Sequence, residues 1–238
     1  MKVIVTGATG TAGRGIIKAC LDDPRITKVV ILARRAVAGE VESHPKTEVI
    51  MHHDFSHYPD ELMERLVGAE ACLWAVGGQS DEPTDDIYKS LKADIDLTLT
   101  GAKVMCTRLA PRTPAGRKFR FVLCSGGGSS RASREHQRKP LLFLYDSRRT
   151  RRGAVERALC DLEEAYGAGR FEVLIARPGG LTTTTTTTGP TKANRAPKRL
   201  FGPLSNGIGT LQLGRAMVRL AAEGWKDKIV ENDVLLKM

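Results

Sequence analysis

A glycine-rich turn near the start of the chain constrains its fold more than any other feature. Residues 6–13 have the sequence TGATGTAG, between an apolar run at 3–6 and a helical pattern at 14–21. In a strand–turn–helix unit, the first glycine permits the tight turn, the second lets the backbone approach a pyrophosphate, and the third lets the helix pack on the strand. The positive helix N-terminus then stabilises the phosphates. We therefore expect a dinucleotide to bind at Gly7, Thr9, Gly10, Thr11, Ala12 and Gly13.

Apolar runs of strand length alternate with amphipathic segments of helix length along most of the chain. The runs fall at 3–6, 28–33, 48–52, 71–76, 119–125 and 171–176, and helical patterns fall at 14–21, 85–109 and 151–166. Short, continuously apolar strands separated by helices are typical of a parallel sheet covered on both faces. The sequence therefore predicts an α/β fold, a Rossmann-type doubly wound parallel sheet. Ligands of such folds bind outside the carboxyl ends of the strands.

The last quarter of the chain has a different pattern. Residues 182–188 are consecutive threonines, and a stretch rich in Gly, Pro, Lys and Arg follows them. A threonine run has no apolar face to bury, so we expect a mobile loop there. Residues 211–222 have a helical pattern, and the final residues suit a short strand or helix that docks on the sheet. We predict a single NAD(P)-binding domain over 1–238, with sheet and helices in 1–181 and, in 182–238, a mobile loop and lid elements on the substrate side.

The end of the second predicted strand indicates which dinucleotide binds. Folds that prefer NAD place an acidic residue about 20 positions after the loop, where it binds the ribose 2′-hydroxyl. Here the strand ends in Ala33, Arg34 and Arg35, and no carboxylate comes before Glu40. Two guanidinium groups suit a 2′-phosphate. The alternative is that both arginines are surface residues at a strand end. We predict NADP(H) rather than NAD(H).

Residues after the third and fourth predicted strands complete the expected adenosine site. Asp54 is placed to accept a hydrogen bond from the adenine amino group, with Phe55 alongside. Ala75, Val76 and Gly77 end the fourth run, where glycine lets the backbone pass close to the ribose and the phosphates. Alternatively, each of these positions simply begins a loop.

The chain is strongly basic, with a formal net charge of +10. Basic residues concentrate at 108–120, 131–139, 148–152 and 192–199. The excess fits a phosphorylated cofactor, an acidic substrate or nucleic acid, or else a solvated basic surface. Nucleic acid is disfavoured because no RNA-binding aromatic signature or zinc-finger spacing accompanies the charge. The histidines at 44, 52, 53 and 57 lack the partner spacing of a closed metal site, so we expect no metal.

The cysteine pattern and the hydropathy of the chain predict its cellular compartment. The five cysteines are dispersed with no Cys-x-x-Cys pair, which favours reduced thiols packed in a core. No apolar run approaches the roughly 18 residues of a membrane helix, and the N-terminus runs directly into a strand without a secretory pattern. We expect a cytoplasmic protein without membrane contact.

Motifs along nearly the whole chain resemble those of one family. In order, they are TGATGTAGRGI, HHDFS, AVGG, VLCSGGG, RRGAVERAL, IARPGGL and GRAMVRLAAEG. They resemble the atypical short-chain dehydrogenase/reductases, and within these the NmrA-like and Tat-interacting-protein-like members. The resemblance implies a Rossmann fold with bound NADP(H) and the nicotinamide near the ends of the fifth and sixth strands. It also implies that a backbone segment contacts the nicotinamide amide, here Pro178, Gly179, Gly180 and Leu181, although a strand-ending turn is the alternative.

The resemblance further implies a catalytic set. Relatives have a serine after the fifth strand, then a Tyr-x-x-x-Lys pair in which the tyrosine donates a proton and the lysine holds the nicotinamide ribose and lowers the tyrosine pKa. Ser125 matches the serine, and Tyr145 with Arg149 match the spacing, with arginine for lysine. Arg152 matches a second pattern, a Lys-Gly pair followed by a glutamate, here Glu156. The two lysines are one residue in relatives, so only one alignment can hold.

Together the motifs predict an NADPH-dependent reductase that acts on a carbonyl, imine or activated alkene of a small molecule, with secondary metabolism as one setting. Tyr145 or a bound water would give the proton, and Ser125 would orient the substrate oxygen. Because arginine replaces the lysine, two alternatives stay open. One is a redox-neutral cyclase or isomerase on the same scaffold. The other is a non-catalytic NADP(H)-sensing regulator that binds a protein partner.

Overall fold

A parallel sheet of seven strands forms the centre of the fold. The computed structural model describes residues 1–76, 87–125, 140–182 and 207–238. The main sheet has the order β3-β2-β1-β4-β5-β6-β9 with parallel pairings throughout, and β7 pairs with β8 separately. The strands are β1 (Lys2–Thr6), β2 (Lys28–Ala33), β3 (Thr47–Met51), β4 (Ala69–Trp74), β5 (Phe119–Cys124), β6 (Phe171–Arg177), β7 (Leu181–Thr182), β8 (Ile208–Gly209) and β9 (Ile229–Glu231).

Helices cover both faces of this sheet. On one face α1, α6 and α7 share a core with the strands, and on the other face α3, α4 and α5 do so. A short 3₁₀ turn at Ala110–Arg112 follows α4. The helices are α1 (Thr11–Asp22), α2 (Gly39–Glu42), α3 (Asp60–Leu66), α4 (Ile87–Arg108), α5 (Pro140–Tyr166), α6 (Thr210–Glu223) and α7 (Asn232–Leu235).

The strand order reverses between β1 and β4. From β1 the chain moves outward to β2 and β3, and it then returns to β4 on the other side of β1. Helix α1, which follows β1, and helix α4, which follows β4, lie on opposite faces of the sheet. Ligands of open parallel sheets bind in the crevice at such a reversal. This reversal places the glycine-rich turn at the crevice.

Helices α1 and α6 approach each other through two glycines. A Cβ on Gly15 would lie 2.1 Å from the carbonyl oxygen of Thr210, and a Cβ on Gly214 would lie 2.2 Å from the carbonyl oxygen of Gly15. Only glycine permits backbones to come this close, because real Cβ atoms do not approach backbone atoms within 3.0 Å. The contact joins the beginning of the chain to its last quarter.

The predicted fold class is confirmed. All six predicted strands are present with ends that shift by at most two residues, and 28–33 is reproduced as β2. The helical patterns at 14–21, 85–109 and 211–222 correspond to α1, α4 and α6, whereas the pattern at 151–166 is only the second half of α5. The short elements α2, α3, β7 and β8 were not predicted.

The end of the chain packs on the sheet. Helix α6 covers the sheet beside α1, and β9 adds a strand beyond β6. Residues 229–235 thus form the expected short strand and helix docked on the sheet, and the lid on the substrate side stays a prediction. The physical reason is burial, since Leu213, Met217, Leu220 and Val230 all lie in the core. Most of the threonine run, 183–188, lies outside the described residues. None of the helices in the described ranges is long and apolar enough to cross a membrane.

Candidate functional site

The glycine-rich turn is closed against the end of β4. Gly7 has a φ of +71°, a conformation that glycine adopts without strain. A Cβ there would lie 2.2 Å from the carbonyl oxygen of Ala75, and the amide of Ala75 donates to Thr6 Oγ1 at 3.3 Å. A Cβ on Gly13 would lie 2.0 Å from the carbonyl oxygen of Gly7. The first and third glycines thus have the steric roles that the sequence predicts.

The second glycine lies at the open start of α1. The amide of Gly10 donates to the carbonyl oxygen of Gly7 at 2.9 Å, and Gly10 is the N-cap residue of the helix. No side chain caps α1 and no acidic residue lies in its first turn. Gly10 and Thr11 are exposed, whereas Ala12 is half-buried and Gly13 is buried. The start of α1 is therefore exposed at Gly10 and Thr11, and it carries the partial positive charge that attracts phosphate.

Arginines surround the same turn. Arg35 Nη2 donates to Thr9 Oγ1 at 3.4 Å, and Arg34 beside it is exposed. The guanidinium of Arg14, on α1, donates to the carbonyl oxygen of Thr9 at 3.1 Å from Nη2 and 3.3 Å from Nε. Arg14 was not predicted as a site residue, and its place one position after the third glycine was the available signal. Two guanidinium groups therefore bond to Thr9 of the turn.

The two residues predicted after β3, Asp54 and Phe55, have different surroundings. Asp54 is exposed, and its Oδ1 accepts from the amide and hydroxyl of Ser56 at 2.9 and 2.5 Å, so these hydrogen bonds hold the pKa of Asp54 below its usual range. Phe55 is buried and packs edge-on against Trp74, with ring centroids 5.9 Å apart. The Phe55 side chain is therefore part of the core. Any contact of Phe55 with a cofactor would have to come from its backbone.

Ala75 and Val76 lie half-buried immediately after β4. Their backbone faces the turn at Gly7, as the 2.2 Å approach to the Ala75 carbonyl oxygen shows. Gly77, predicted with them, lies outside the described residues.

A buried polar network occupies the carboxyl ends of β5 and β6. Ser125 is buried, and its hydroxyl donates to Glu156 Oε1 at 2.6 Å. Glu156 is also buried and accepts from Arg177, from Nε to Oε1 at 3.0 Å and from Nη2 to Oε2. Arg177 Nη1 donates to Glu231 Oε1 at 2.8 Å. The two carboxylates raise the pKa of Arg177. The Ser125 proton is therefore directed toward Glu156.

The other three predicted catalytic residues, Tyr145, Arg149 and Arg152, lie on α5 among residues whose side chains fall outside the description. Helix geometry nevertheless fixes the spacing of their backbones. Arg152 precedes Glu156 by one turn, whereas Tyr145 lies about 16 Å from Glu156 along the axis at 1.5 Å per residue. Since Glu156 bonds to Ser125, this spacing favours the alignment through Arg152.

The segment after β6 is held by its neighbours. The amide of Gly179 donates to Asn232 Oδ1 at 2.6 Å, and the carbonyl oxygen of Gly180 accepts from the amide of Ile208 at 2.9 Å. Pro178 is buried, and Leu181 is exposed in β7. The Gly179 amide is therefore already used, so a nicotinamide amide would have to bind the Gly180 amide or the backbone carbonyl groups of this segment.

His52, Cys20 and Cys72 pack within the fold. His52 packs its ring against Phe55 and Tyr58, with centroids 5.0 and 5.2 Å away, and burial lowers its pKa. Burial raises the pKa of the Cys20 and Cys72 thiols. Across the part of the chain that is described, no three His, Cys, Asp or Glu side chains are grouped to hold a metal ion.

The basic concentration at 108–120 is largely paired with acidic side chains. Its four arginines each contact a carboxylate, and these carboxylates lie on three neighbouring elements, α3, β4 and β6. The pairs are Arg108 with Asp60, Arg112 with Glu64, Arg117 with Glu70 and Arg120 with Glu172. This stretch is therefore a paired surface rather than an open basic patch.

Comparison with known proteins gives one sequence relative and many structural ones. No family model matches the chain. It is 34% identical over 128 residues to the leucinostatins biosynthesis cluster protein T of Purpureocillium lilacinum, a match that covers 54% of this chain and 44% of that protein. The chain thus spans less than half the length of this relative.

Solved structures share the fold over nearly the whole chain. Gre2 of Candida albicans in complex with NADPH has a TM-score of 0.67 at 13% identity, covering 98% of this chain and 78% of Gre2. YwfH, an NADPH-dependent reductase involved in bacilysin biosynthesis, has a TM-score of 0.65 at 12% identity over 97% of each chain. The dTDP-glucose 4,6-dehydratase DesIV of Streptomyces venezuelae, with NAD and DAU bound, has a TM-score of 0.61 at 17% identity, over 98% of this chain and 75% of DesIV. At these identities the likeness concerns the fold.

Proposed function

We propose that this chain binds NADP(H) and is an NADPH-dependent reductase of a small-molecule carbonyl, imine or activated alkene. The observation that carries the proposal is the turn at 7–13. It has two glycines closed against backbone, an uncapped helix N-terminus, and Arg35 bonded to Thr9. A pyrophosphate would fit the open amides of α1, and a 2′-phosphate would fit the guanidinium groups at the end of β2.

The strand order fixes the direction in which the cofactor would lie. With the pyrophosphate at the crevice between β1 and β4, the arginines after β2 draw the phosphorylated adenosine toward β2 and β3. Asp54, on the β3 side, would then accept from the adenine amino group with the carboxylate lone pairs that Ser56 leaves. The nicotinamide half extends the other way, over the ends of β5 and β6.

When bound, NADPH supplies a hydride, and the chain would supply orientation and a proton path. Ser125 donates to Glu156, so its hydroxyl offers a substrate lone pairs rather than a proton. The proton would then come from Tyr145 or from a bound water.

The Ser125–Glu156 hydrogen bond favours a second function. A serine whose proton points to a buried carboxylate is poorly suited to polarise a carbonyl, and it is well suited to accept a hydrogen bond from a substrate hydroxyl or amine. A redox-neutral cyclase or isomerase with a structural NADP(H) would use that property. We rank this function below the reductase, because it would leave the hydride chemistry of the proposed NADP(H) unused.

The relative from a biosynthesis cluster supports a role in secondary metabolism. Its name places it in leucinostatin biosynthesis, and the match covers only part of each protein. We propose that this chain acts on an intermediate of a secondary metabolite, whose reducible group the sequence does not specify.

Deuteride transfer tests this function directly. Purified protein is incubated with 4-deuterated NADPH and a panel of aldehydes, ketones, imines and enones, and the products are analysed by mass spectrometry. The reductase proposal expects deuterium in one product class. Binding of NADPH without deuterium transfer, together with a product of unchanged oxidation state, would replace it with the redox-neutral function. If NADPH does not bind, both functions fail.

A further inference from the structure

The segment that follows β6 has little means of fixing its own path. Residues 178–180 are Pro, Gly and Gly, so two of the three have no side chain to pack and one has no amide to donate. Glycine loses more backbone entropy on ordering than any other residue. A defined conformation here requires contacts from other elements, and the structure supplies them.

The end of β9 contacts this segment at two points. Strands β6 and β9 pair in register, with Arg177 opposite Glu231. Glu231 accepts from Arg177 Nη1 at 2.8 Å, and the next residue, Asn232, accepts from the Gly179 amide at 2.6 Å. The last residue of β9 and the first residue of α7 therefore bond to the residues on both sides of Pro178.

Helix α5 contacts Arg177, the residue directly before this segment, through Glu156. Glu156 accepts two hydrogen bonds from Arg177 and one from Ser125. The side chain of Glu156 is 6% exposed and that of Arg177 is 21% exposed, so solvent screens their pairing little. Removing one partner of an ion pair this buried strongly destabilises the fold, because the other charge is left buried and unpaired.

We propose that Asn232, Glu231 and Glu156 are positioning residues that hold Arg177–Gly180 in the conformation that receives the nicotinamide half of the cofactor. The inference rests on the proposed binding of NADP(H) and on the direction of the cofactor over β5 and β6. It makes the C-terminal strand a required part of the site. None of the three acceptors needs to touch the cofactor, because each acts through a residue of the segment.

Substitutions of Asn232 test the proposal with two ligands. NADPH reports the whole site, whereas 2′-phospho-ADP-ribose has the phosphorylated adenosine and the pyrophosphate but lacks the nicotinamide. Isothermal titration calorimetry with both ligands is expected to show that Asn232→Ala weakens NADPH about tenfold, the scale of one buried donor left unpaired. Affinity for 2′-phospho-ADP-ribose should change less than about twofold.

Two matched variants control this experiment. Asn232→Asp keeps an acceptor oxygen for the Gly179 amide and is expected to retain affinity for NADPH. Asp233→Ala removes the exposed neighbouring side chain and is expected to bind both ligands as the wild type does. Thermal unfolding of each variant without ligand checks that the fold is kept.

The outcomes separate the inference from the function on which it rests. If the wild type binds neither ligand, the proposed function fails. If the wild type binds both and Asn232→Ala weakens both equally or neither, or if Asn232→Asp loses as much affinity as Asn232→Ala, the positioning role is wrong.

Glu156 on α5 gives an independent test of the proposal. Glu156→Gln removes the charge that pairs with Arg177, and it is expected to weaken NADPH selectively in the same way. Glu164→Gln, an exposed position on the same helix, is the matched control. An unchanged ratio of the two ligand affinities in Glu156→Gln would overturn the part of the proposal that concerns α5.

Discussion

Replacement of Gly13 by alanine separates packing from helix propensity at the glycine-rich turn. The added Cβ would lie 2.0 Å from the carbonyl oxygen of Gly7, 2.7 Å from its carbonyl carbon and 3.0 Å from Ala8 Cα. All three are backbone atoms, so no rotamer change relieves the clash. The first turn of α1 would have to move from the turn by about 1 Å or more.

The magnitude follows from two opposing effects. Alanine improves helix propensity over glycine by about 1 kcal/mol, whereas overpacking of this kind destabilises by about 1–3 kcal/mol. Because the clash is with backbone at 2.0 Å, the overpacking belongs to the upper part of that range, about 2–3 kcal/mol, and we expect Gly13→Ala to lower the free energy of unfolding by about 1–2 kcal/mol net. For a chain of this size that corresponds to a fall in Tm of about 2–8 °C. Differential scanning calorimetry without ligand measures it.

Gly10→Ala is the matched comparison. Its Cβ would meet only the Gly7 carbonyl oxygen, at 3.2 Å, so a shift of a few tenths of an ångström suffices. We expect Gly10→Ala to lower Tm by no more than about 4 °C, since alanine is a poorer N-cap residue than glycine by about 0.5–1 kcal/mol. It should still lose the NADPH-induced rise in Tm, because the methyl group occupies the open helix N-terminus. A Gly13→Ala variant more stable than the wild type, or a Gly10→Ala variant with the full NADPH-induced rise, would refute this account.

Three further predictions concern packing and pH. Gly214→Ala puts a Cβ 2.2 Å from the Gly15 carbonyl oxygen, so chemical denaturation should show a loss of about 1–3 kcal/mol; an unchanged midpoint would contradict the α1–α6 contact. Thr98→Val leaves the buried indole N–H of Trp74 without its 3.0 Å acceptor, and a loss of about 1–3 kcal/mol is expected in the same assay. The pKa of Asp23 is lowered, chiefly by its hydrogen bond from a neighbouring arginine. Its contribution to the free energy of unfolding is therefore present above a pH of about 4 and is lost as the pH falls through the lower folded-state pKa. Tm measured from about pH 5 to pH 2 should fall less steeply in Asp23→Asn than in the wild type, and parallel profiles would exclude this contribution.

The central strands could be predicted because each is a continuous apolar run. The run KVVILA needs no tertiary information, since five of its six residues are buried in β2. By contrast, β9 has three residues, of which only Val230 is buried. Its strand conformation depends on pairing with β6, and no local pattern in the chain encodes that pairing.

The site was predictable where one short motif contains all its parts. Gly7 and Gly13 act on residues of their own turn and of the neighbouring strand end, as their spacing implies. The hydrogen bond between Ser125 and Glu156 joins an end of β5 to α5, and it depends on where a helix docks. The sequence supplied both residues as matches to a family pattern, but it could not show that they contact each other.

Some contacts had a signal that pattern matching does not use. Gly15 and Gly214 interrupt two helical patterns at a penalty of about 1 kcal/mol each relative to alanine. Unfavourable residues in otherwise regular helices indicate a close approach, and here the two glycines face each other. Arg14 had a similar signal, as a basic residue directly after the third glycine.

The central claim, that this chain binds NADP(H) through the turn at 7–13 and the arginines after β2, is tested most directly by titration calorimetry with NADPH and NADH. The account predicts that the wild type binds NADPH at least about tenfold more tightly than NADH, because a charge-assisted hydrogen bond contributes about 1.5–3 kcal/mol. The double variant Arg34→Ala/Arg35→Ala should bind the two with similar affinity. Equal affinity of the wild type for NADPH and NADH, or binding of neither, would contradict it.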